Sequence, residues 1–350
     1  MSTQNLLVEL FVEELPPKAL NKLGEAFSNV LFETLKSQGL ASEGSAATAF
    51  ASPRRLAVHA TNILAVAPDK TSTQKLMPVS VGLDANGNPT PALIKRLNGM
   101  GLDESAVANL TKQADGKNEA LFLDVLQKGV SLKDGLQSAL NEAISKLPIP
   151  KVMTYQLADG WTSVNFVRPT HSLVALHGNE VIAVTALGLT AGNAAVSPVV
   201  LKNADSYAEQ LKTEGAVIAS FAERRAEIVR QLNAAAAKQN LKPIEDDALL
   251  DEVTALVERP NVLLGQFEEV YLEVPQECLI LTMKANQKYF PLLDANDKLT
   301  NKFLIVSNIS PDDASAVIGG NERVVRPRLA DAKFFFDQDR KKTLESRLEG

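Results

Sequence analysis

Apolar residues occupy every second position from Leu6 to Val12, which predicts a β-strand with one buried face. After a proline pair the apolar spacing changes to that of a helix, and Gly39 stands where a helical C-terminal cap is common. A second strand is predicted over residues 55–63. The chain therefore opens with a strand–helix–strand unit, which we assign to residues 1–67.

A turn-rich connector follows, and its strongest turn signal is "DANGNPTP" at residues 84–91. It leads into a smaller region of helices and a hairpin, which we assign to residues 68–146. In the third segment, residues 147–243, the pattern predicts three strands followed by one long helix. These elements are expected over residues 163–168, 172–176, 181–187 and 205–240.

The fourth segment, residues 244–350, begins with a helix predicted over 245–258. Acidic residues crowd its first turn, where the helix dipole favours them. Three strands are then predicted at "ECLILTM", "KYFPLLD" and "KFLIVSNI". The whole pattern indicates a mixed α+β fold of several subdomains, with mostly antiparallel sheets and packed helices.

The composition is 45% hydrophobic and 22% charged over 350 residues, which is typical of a globular protein. The net charge of −6 argues against a surface that binds nucleic acid everywhere, but it permits a local basic patch. The single cysteine, Cys278, excludes an internal disulfide framework and favours a reducing compartment. Because the sequence shows neither signal-peptide features nor an apolar run of roughly 18 residues, we expect a cytoplasmic protein without membrane contact.

No catalytic constellation stands out in the sequence. The three histidines lack the close pairing of zinc sites, and Cys278 lies in an apolar run, which favours a buried, inert thiol. The acidic pairs at 13–14 and 246–247 adjoin helix starts, so both have structural explanations. "VIGGNER" lacks the spacing of a phosphate-binding loop, and no motif of an ATP-activating centre is apparent. We therefore expect no catalytic residue, metal or bound cofactor on this chain.

Arginine beside proline recurs in "SPRRLAV", "NFVRPTH" and "VVRPRLADA". Proline fixes the local backbone, and the planar guanidinium suits either a phosphate or a carboxylate. Binding to RNA is one interpretation, and internal pairing with some of the 42 acidic residues is the other. The candidate RNA-binding residues are Arg54, Arg55, Arg168, Arg323, Arg326, Arg328 and Lys333.

The stretch from Val317 to Lys342 combines two glycines, a basic run and three phenylalanines. We interpret the glycines as a turn, Arg326 as an N-cap and Pro327 as the first residue of a helix. Between Arg323 and Lys342 seven cations oppose three acids. Because residues 334–336 step about 100° each around a helix, no single face can bury all three rings. At least one phenylalanine should therefore pack against a second body, such as a further domain.

The sequence resembles the β-subunits of the bacterial heterotetrameric glycyl-tRNA synthetases. The similarity is carried by "LLVELFVEELPPKAL", "SPRRLAV", "NGNPTPA", "FVRPTH", "DEVTALVERPNVLLGQFEE", "TMKANQKYFPLLD" and "GGNERVVRPRLADAKFFFDQDRKK", in the family's order. Two segments depart from the family pattern, at Met153-Thr154-Tyr155 and at residues 191–200. No role tied to those segments is transferred.

This resemblance implies a division of labour between subunits. The α-subunit activates glycine with ATP and Mg²⁺, and the β-subunit contributes tRNA(Gly) binding and assembly. The fold is expected to be similar to the B3/4-type module of the phenylalanyl-tRNA synthetase β-subunit. The family's β-subunits are about twice as long, so this chain corresponds to an N-terminal half that would be inactive alone. Its expected partners are the α-subunit, tRNA(Gly) and its own C-terminal half.

The sequence leaves two alternatives open. One is a protein-interaction scaffold that contacts the α-subunit or its own C-terminal domains without touching RNA. The other is a hydrolytic editing module, although no nucleophile–base pair is visible in the sequence. Deacylation of mischarged tRNA would decide the editing alternative.

Overall fold

A computed structural model describes residues 2–196 and 199–341, and each strand ladder within it is antiparallel. The expected α+β class is confirmed. The strands are β1 (Thr3–Val12), β2 (Ala47–Ser52), β3 (Arg55–Leu64), β4 (Lys70–Pro78), β5 (Leu110–Asp115), β6 (Asn118–Gln127), β7 (Met153–Gln156), β8 (Ser163–Phe166), β9 (Thr170–His177), β10 (Glu180–Val181), β11 (Thr185–Ala186), β12 (Leu189–Thr190), β13 (Ala194–Ala195), β14 (Val199–Val200), β15 (Lys242–Pro243), β16 (Asn261–Gln266), β17 (Phe290–Leu293) and β18 (Leu299–Ser307).

The α-helices are α1 (Leu20–Ser37), α2 (Val79–Gly82), α3 (Pro91–Gly99), α4 (Leu132–Ser145), α5 (Tyr207–Thr213), α6 (Phe221–Ala237), α7 (Asp247–Thr254), α8 (Gln276–Gln287) and α9 (Ser315–Arg340). Short 3₁₀ helices span Glu104–Asn109, Ala204–Ser206 and Glu269–Glu273.

The first sheet has the strand order β10-β9-β1-β3-β2. Leu6, Val8 and Leu10 of β1 face the core beneath α1 and α4, as the alternating pattern predicts. Leu7, on the opposite side of β1, packs in a second core with Tyr207 of α5. The central strand is therefore buried on both faces.

The predicted strand–helix–strand opening is confirmed by β1, α1 and β3. Gly39 has φ +79° directly after the helix, the left-handed conformation that glycine adopts at low cost. The sequence did not reveal β2, because "ATAFAS" is rich in alanine and carries little hydrophobic alternation.

A small second unit consists of the sheet β4-β6-β5 with α2 and α3. It has a core of its own, to which Leu93, Leu97 and Leu121 contribute. Helix α4 instead packs against α1, and its Leu136 and Leu140 belong to the core of the first sheet. That core thus combines residues from all four segments assigned from the sequence.

The strands predicted over 163–168 and 172–176 are confirmed as β8 and β9. The prediction of a continuous strand over 181–187 is wrong, because a hydrogen bond from the Val184 N–H to the Ile182 carbonyl closes a tight turn between β10 and β11. The prediction of one helix over 205–240 is also wrong, because the structure has two helices there, α5 and α6. Ala216 has φ +54° between α5 and α6, and the side chain of Ser220 caps the start of α6.

The last sheet has the order β15-β17-β18-β16. On one face α6 and α7 share a core with β17 and β18, and on the other α8 and α9 pack against Phe303. The helix predicted over 245–258 is confirmed in a shorter form, α7, whose N-cap is Asp246. The Asp246 carboxylate accepts a bond from the Leu249 N–H at 2.9 Å.

"ECLILTM" is not a strand but the first part of α8. Its periodicity is helical in the structure, because Leu279 and Met283, four residues apart, are buried while Leu281 is exposed. The expectation of a buried thiol is likewise wrong, since Cys278 is exposed on this helix.

Helix α9 also corrects the sequence interpretation. Gly319, Gly320 and Pro327 all lie within its 26 residues, so the glycines form no turn and Arg326 is no N-cap. Pro327 lies on the exposed side, between the buried residues Val325 and Leu329. The packing of those two residues outweighs the poor helix propensity of glycine and proline. Lys342, the last predicted cation of this stretch, lies outside the described residues.

Candidate functional site

The first arginine–proline segment forms the turn between β2 and β3. Arg54 donates from Nε and Nη2 to the two carboxylate oxygens of Glu258, at 3.1 and 3.3 Å. Its guanidinium also lies 5.2 Å from the ring centre of Phe11. The hydrogen bond to Glu258 is the main cause that raises the pKa of Arg54. Arg54 thus joins the first sheet to the segment after α7, while part of its side chain remains exposed.

Arg55 is 1% exposed and is held entirely by the protein. Its Nη1 lies 3.2 Å from Glu258 Oε1, its Nη2 donates to the Val196 carbonyl at 2.6 Å, and its Nε lies 3.4 Å from Glu9 Oε2. Glu9 in turn accepts a 2.5 Å bond from the Tyr207 hydroxyl. Burial raises the pKa of Glu9, and Arg55 and then Tyr207 partly oppose that rise. The Arg55 guanidinium is therefore enclosed by protein groups in this structure.

Arg168, from the second segment, bonds neutral acceptors. Its Nε donates to the Glu14 carbonyl at 2.9 Å, and its Nη1 donates to the Val167 carbonyl at 2.9 Å and contacts Met153 Sδ at 3.6 Å. Arg168 and Pro53 line the same pocket of about 210 Å³. The first two arginine–proline segments therefore meet in space.

The third segment lies on α9, and two of its cations form ion pairs. Arg326 Nε donates to Glu268 Oε1 at 2.6 Å, and Lys333 Nζ lies 2.7 Å from Glu273 Oε2. Lys333 also bonds Asp337, and the two acids raise the pKa of Lys333, Glu273 first. Because Glu268 immediately precedes the 3₁₀ helix after β16 and Glu273 is the last residue of that helix, these pairs attach α9 to it.

Two candidate cations on α9 remain without an ion pair among the described residues. Arg323 and Arg328 are exposed, and they share the outer side of the helix with two aromatic rings. Phe334 is 57% exposed and Phe335 is 65% exposed, and their ring centres lie 5.6 Å apart. Phe336 instead packs towards the core of the last sheet. The prediction that no single face buries all three rings is confirmed.

The seven predicted cations therefore fall into two groups. Arg54, Arg55 and Arg168 lie around the turn before β3, and the other four lie along α9. A contact with RNA stays a prediction for both groups.

Sequence reasoning missed Arg224, a buried cation next to the first group. Its guanidinium donates to the carbonyl oxygens of Thr254, Ile218 and Ala51 at 2.7–2.8 Å. Burial lowers its pKa to about 10. The sequence does carry a sign of this burial, because Arg224 lies in the apolar stripe of α6, three residues after Phe221 and four before Ile228.

Each histidine has a protein partner. His59 bonds Asp205 and His171 bonds Glu13, both at 2.7 Å, and His177 bonds the Ile63 carbonyl at 2.8 Å. Across residues 2–196 and 199–341, no three or more His, Cys, Asp or Glu side chains are arranged to hold a metal ion.

Within the same described part of the chain, no helix combines the length and apolar character needed to cross a membrane.

Comparison with known proteins gives one consistent result. The family model described as glycyl-tRNA synthetase beta subunit matches residues 6–350. The chain is 71% identical over 358 residues to the glycine–tRNA ligase beta subunit of Thiobacillus denitrificans, covering 100% of this chain and 51% of that protein. The beta subunits of Delftia acidovorans and Dechloromonas aromatica are 71% and 68% identical over the whole chain, which covers 51% and 52% of those proteins. The chain thus spans about half the length of these relatives, and it belongs to the glycyl-tRNA synthetase beta subunit family.

Proposed function

We propose that this chain is the part of a glycyl-tRNA synthetase β-subunit that contributes tRNA(Gly) binding and subunit assembly to the ATP-dependent ligation of glycine to tRNA(Gly). The α-subunit of the assembled enzyme would use ATP and Mg²⁺, and this chain would hold neither. Family membership supports the reaction, since the relatives are named glycine–tRNA ligase beta subunits.

The observation that carries the RNA-binding part is the outer side of α9. Arg323 and Arg328 form no ion pair among the described residues and are free to approach a phosphate. The exposed rings of Phe334 and Phe335 lie on the same helix, and a combination of cations and aromatic rings on one surface is typical of proteins that bind single-stranded nucleic acid. We assign Arg323 and Arg328 to phosphate contacts, with Arg326 and Lys333 holding the helix in place.

The test is the salt dependence of tRNA(Gly) affinity in the assembled enzyme. Each phosphate contact contributes a log–log slope of roughly −0.7 to −0.9. The double variant Arg323→Ala/Arg328→Ala should therefore bind more weakly and lose about 1.4–1.8 from the magnitude of that slope.

The matched control is Lys112→Ala/Lys117→Ala, which removes two exposed cations from the β5–β6 hairpin of the small unit. It should leave the slope unchanged. An unchanged slope in the arginine double variant would remove α9 from the proposed interface.

A scaffold that contacts protein and not RNA is the second candidate. It is favoured by the first cation group, in which Glu258 pairs with both Arg54 and Arg55, so that their charges are compensated within the protein. In that case Arg54→Glu should weaken association with the α-subunit and leave the tRNA affinity of the assembled enzyme intact. Arg230→Glu, at an exposed intrahelical pair, is the control.

The editing alternative has no residue assigned to it and stays a prediction. Deacylation of mischarged tRNA by the assembled enzyme is its test.

A further inference from the structure

Trp161, the single tryptophan of the chain, is 91% exposed at the tip of the β7–β8 hairpin. One exposed apolar side chain is ordinary on a protein surface. Its significance depends on how firmly the tip is held and on what surrounds it.

The tip is held by a dense set of local hydrogen bonds. Asp159 Oδ1 accepts from the Trp161 and Thr162 N–H groups at 2.9 and 2.8 Å, and Oδ2 accepts from the Thr162 hydroxyl at 2.5 Å. Those bonds, the Thr162 hydroxyl first, lower the pKa of Asp159. Gly160 takes φ +75° at the turn, and the Leu157 N–H bonds the Thr162 carbonyl at 2.7 Å. The loop backbone is ordered before any partner binds, so little ordering entropy would be lost on binding.

The hairpin is also fixed to the body of the protein. The Tyr155 hydroxyl bonds Thr170 Oγ1 of β9 at 2.8 Å. Leu157 packs on Gly188, where a Cβ would come within 2.4 Å of Leu157 Cδ1. The backbone that carries Trp161 is therefore fixed relative to β9.

The surroundings of the indole indicate the kind of partner. Residues 155–166 contain one charged side chain, the carboxylate of Asp159, and no cation. Thr154 and Asn165, a cross-strand pair of the hairpin, are polar and uncharged, and the Thr154 hydroxyl donates to Asn165 Oδ1 at 2.7 Å. Surfaces that bind nucleic acid depend on cations to neutralise phosphates. An aromatic anchor within an uncharged polar rim is instead typical of the centre of a protein–protein interface.

We infer that Trp161 is the anchor with which this chain docks into an apolar pocket on the partner subunit. The relatives carry the name beta subunit, which entails a second kind of subunit. The choice of partner rests on the proposed function in assembly, and the anchor itself rests on the geometry of the hairpin.

The experiment is hydroxyl-radical footprinting with mass spectrometry, which measures oxidation at Trp161 alone even when other tryptophans are present. The full-length β-chain is compared alone, with the α-subunit and with tRNA(Gly). We expect assembly with the α-subunit to reduce the oxidation rate of Trp161 several-fold. In parallel, Trp161→Ala should weaken subunit association at least about 30-fold, with a smaller loss for Trp161→Phe.

Leu126→Ala, at an exposed leucine on β6 of the small unit, is the matched control and should leave association unchanged. Protection by tRNA alone, protection already present in the full-length β-chain alone, or wild-type affinity in Trp161→Ala would each overturn the inference. If the wild-type chain assembles while Trp161 stays reactive, this inference fails and the proposed function stands. If the wild-type chain does not assemble with the α-subunit, both fail.

Discussion

Replacing Glu258 with glutamine tests how much the buried arginine cluster contributes to stability. The Glu258 carboxylate lies 3.1 Å from Arg54 Nε and 3.2 Å from Arg55 Nη1, and its side chain is largely buried. Glu258→Gln keeps the shape but removes the charge, so among the described residues Glu9 is the one carboxylate left beside the buried guanidinium of Arg55. Breaking one side of a buried ion pair costs about 3–5 kcal/mol. Since Glu9 remains and Arg54 is partly exposed, we expect the lower end, about 3 kcal/mol.

Thermal unfolding followed by far-UV circular dichroism measures this loss. Unfolding entropy is about 2.1 cal/mol/K per residue, so a loss of about 3 kcal/mol lowers the Tm of a 350-residue cooperative unit by about 4 °C. Tryptophan fluorescence is unsuitable as a probe, because Trp161 is already exposed in the folded chain.

The matched control is Glu227→Gln. Glu227 also accepts two bonds from one arginine, Arg230, at 2.7 and 2.8 Å, but Arg230 is exposed on the surface of α6. Exposed pairs contribute about 0–1 kcal/mol, so its Tm should fall by about 1 °C or less. Equal shifts for the two variants would refute the reasoning that burial makes the Glu258 pairs costly to break.

Three further predictions concern packing, a buried cation and pH. Gly24→Ala would place a Cβ 2.6 Å from Ala51 Cβ and should lower the free energy of unfolding, measured by urea denaturation, by about 1–3 kcal/mol. Gly320→Ala, whose new Cβ meets nothing within 4 Å, should raise the same free energy by about 0.5–1 kcal/mol. Arg224→Met removes the donor from three buried carbonyl oxygens and should cost about 3 kcal/mol by the same measurement. Burial raises the pKa of Glu9 above 4.5, so the folded state holds the Glu9 proton more tightly than the unfolded state. The protonation of Glu9 therefore contributes fully to the free energy of unfolding at low pH, and this contribution is lost as pH rises through the raised pKa. The stability of the wild type relative to Glu9→Gln should therefore fall as pH increases from about 4.5, and a difference that is flat or rises with pH would contradict the assignment.

Helices and strands were predicted well where a single hydrophobic periodicity dominated and where capping residues marked the ends. β1, α1 and α7 are examples, since Gly39 and Asp246 mark helix ends by local chemistry. Prediction failed at "ECLILTM", where a run of apolar residues fits both periods and only the burial of Leu279 and Met283 decides for a helix. It also failed in α9, where local glycine and proline signals were outweighed by packing at Val325 and Leu329.

The candidate site was predictable in residue type but not in arrangement. The arginine–proline pattern drew attention to Arg54 and Arg55, yet it could not reveal that Glu258, about 200 residues away, pairs with both. The pairing depends on the tertiary fold, so no local spacing predicts it. The same holds for Trp161, whose hairpin the sequence indicated only through β8.

The two surfaces for which we propose partners, the outer side of α9 and the tip of the β7–β8 hairpin, share one physical feature. Neither surface is required for folding. The inner side of α9 is fixed by Val325, Leu329 and the ion pairs of Arg326 and Lys333, so its outer cations and rings add little to the stability of the chain. The β7–β8 hairpin is likewise held by Tyr155 and Leu157, and its indole contributes no buried contact. Exposed aromatic rings on rigid supports are retained at a cost in solubility, and contact with another molecule is the most direct compensation. The cations of α9 and the lack of cations at the hairpin tip support the different partners that we propose for the two surfaces, RNA for α9 and protein for the hairpin.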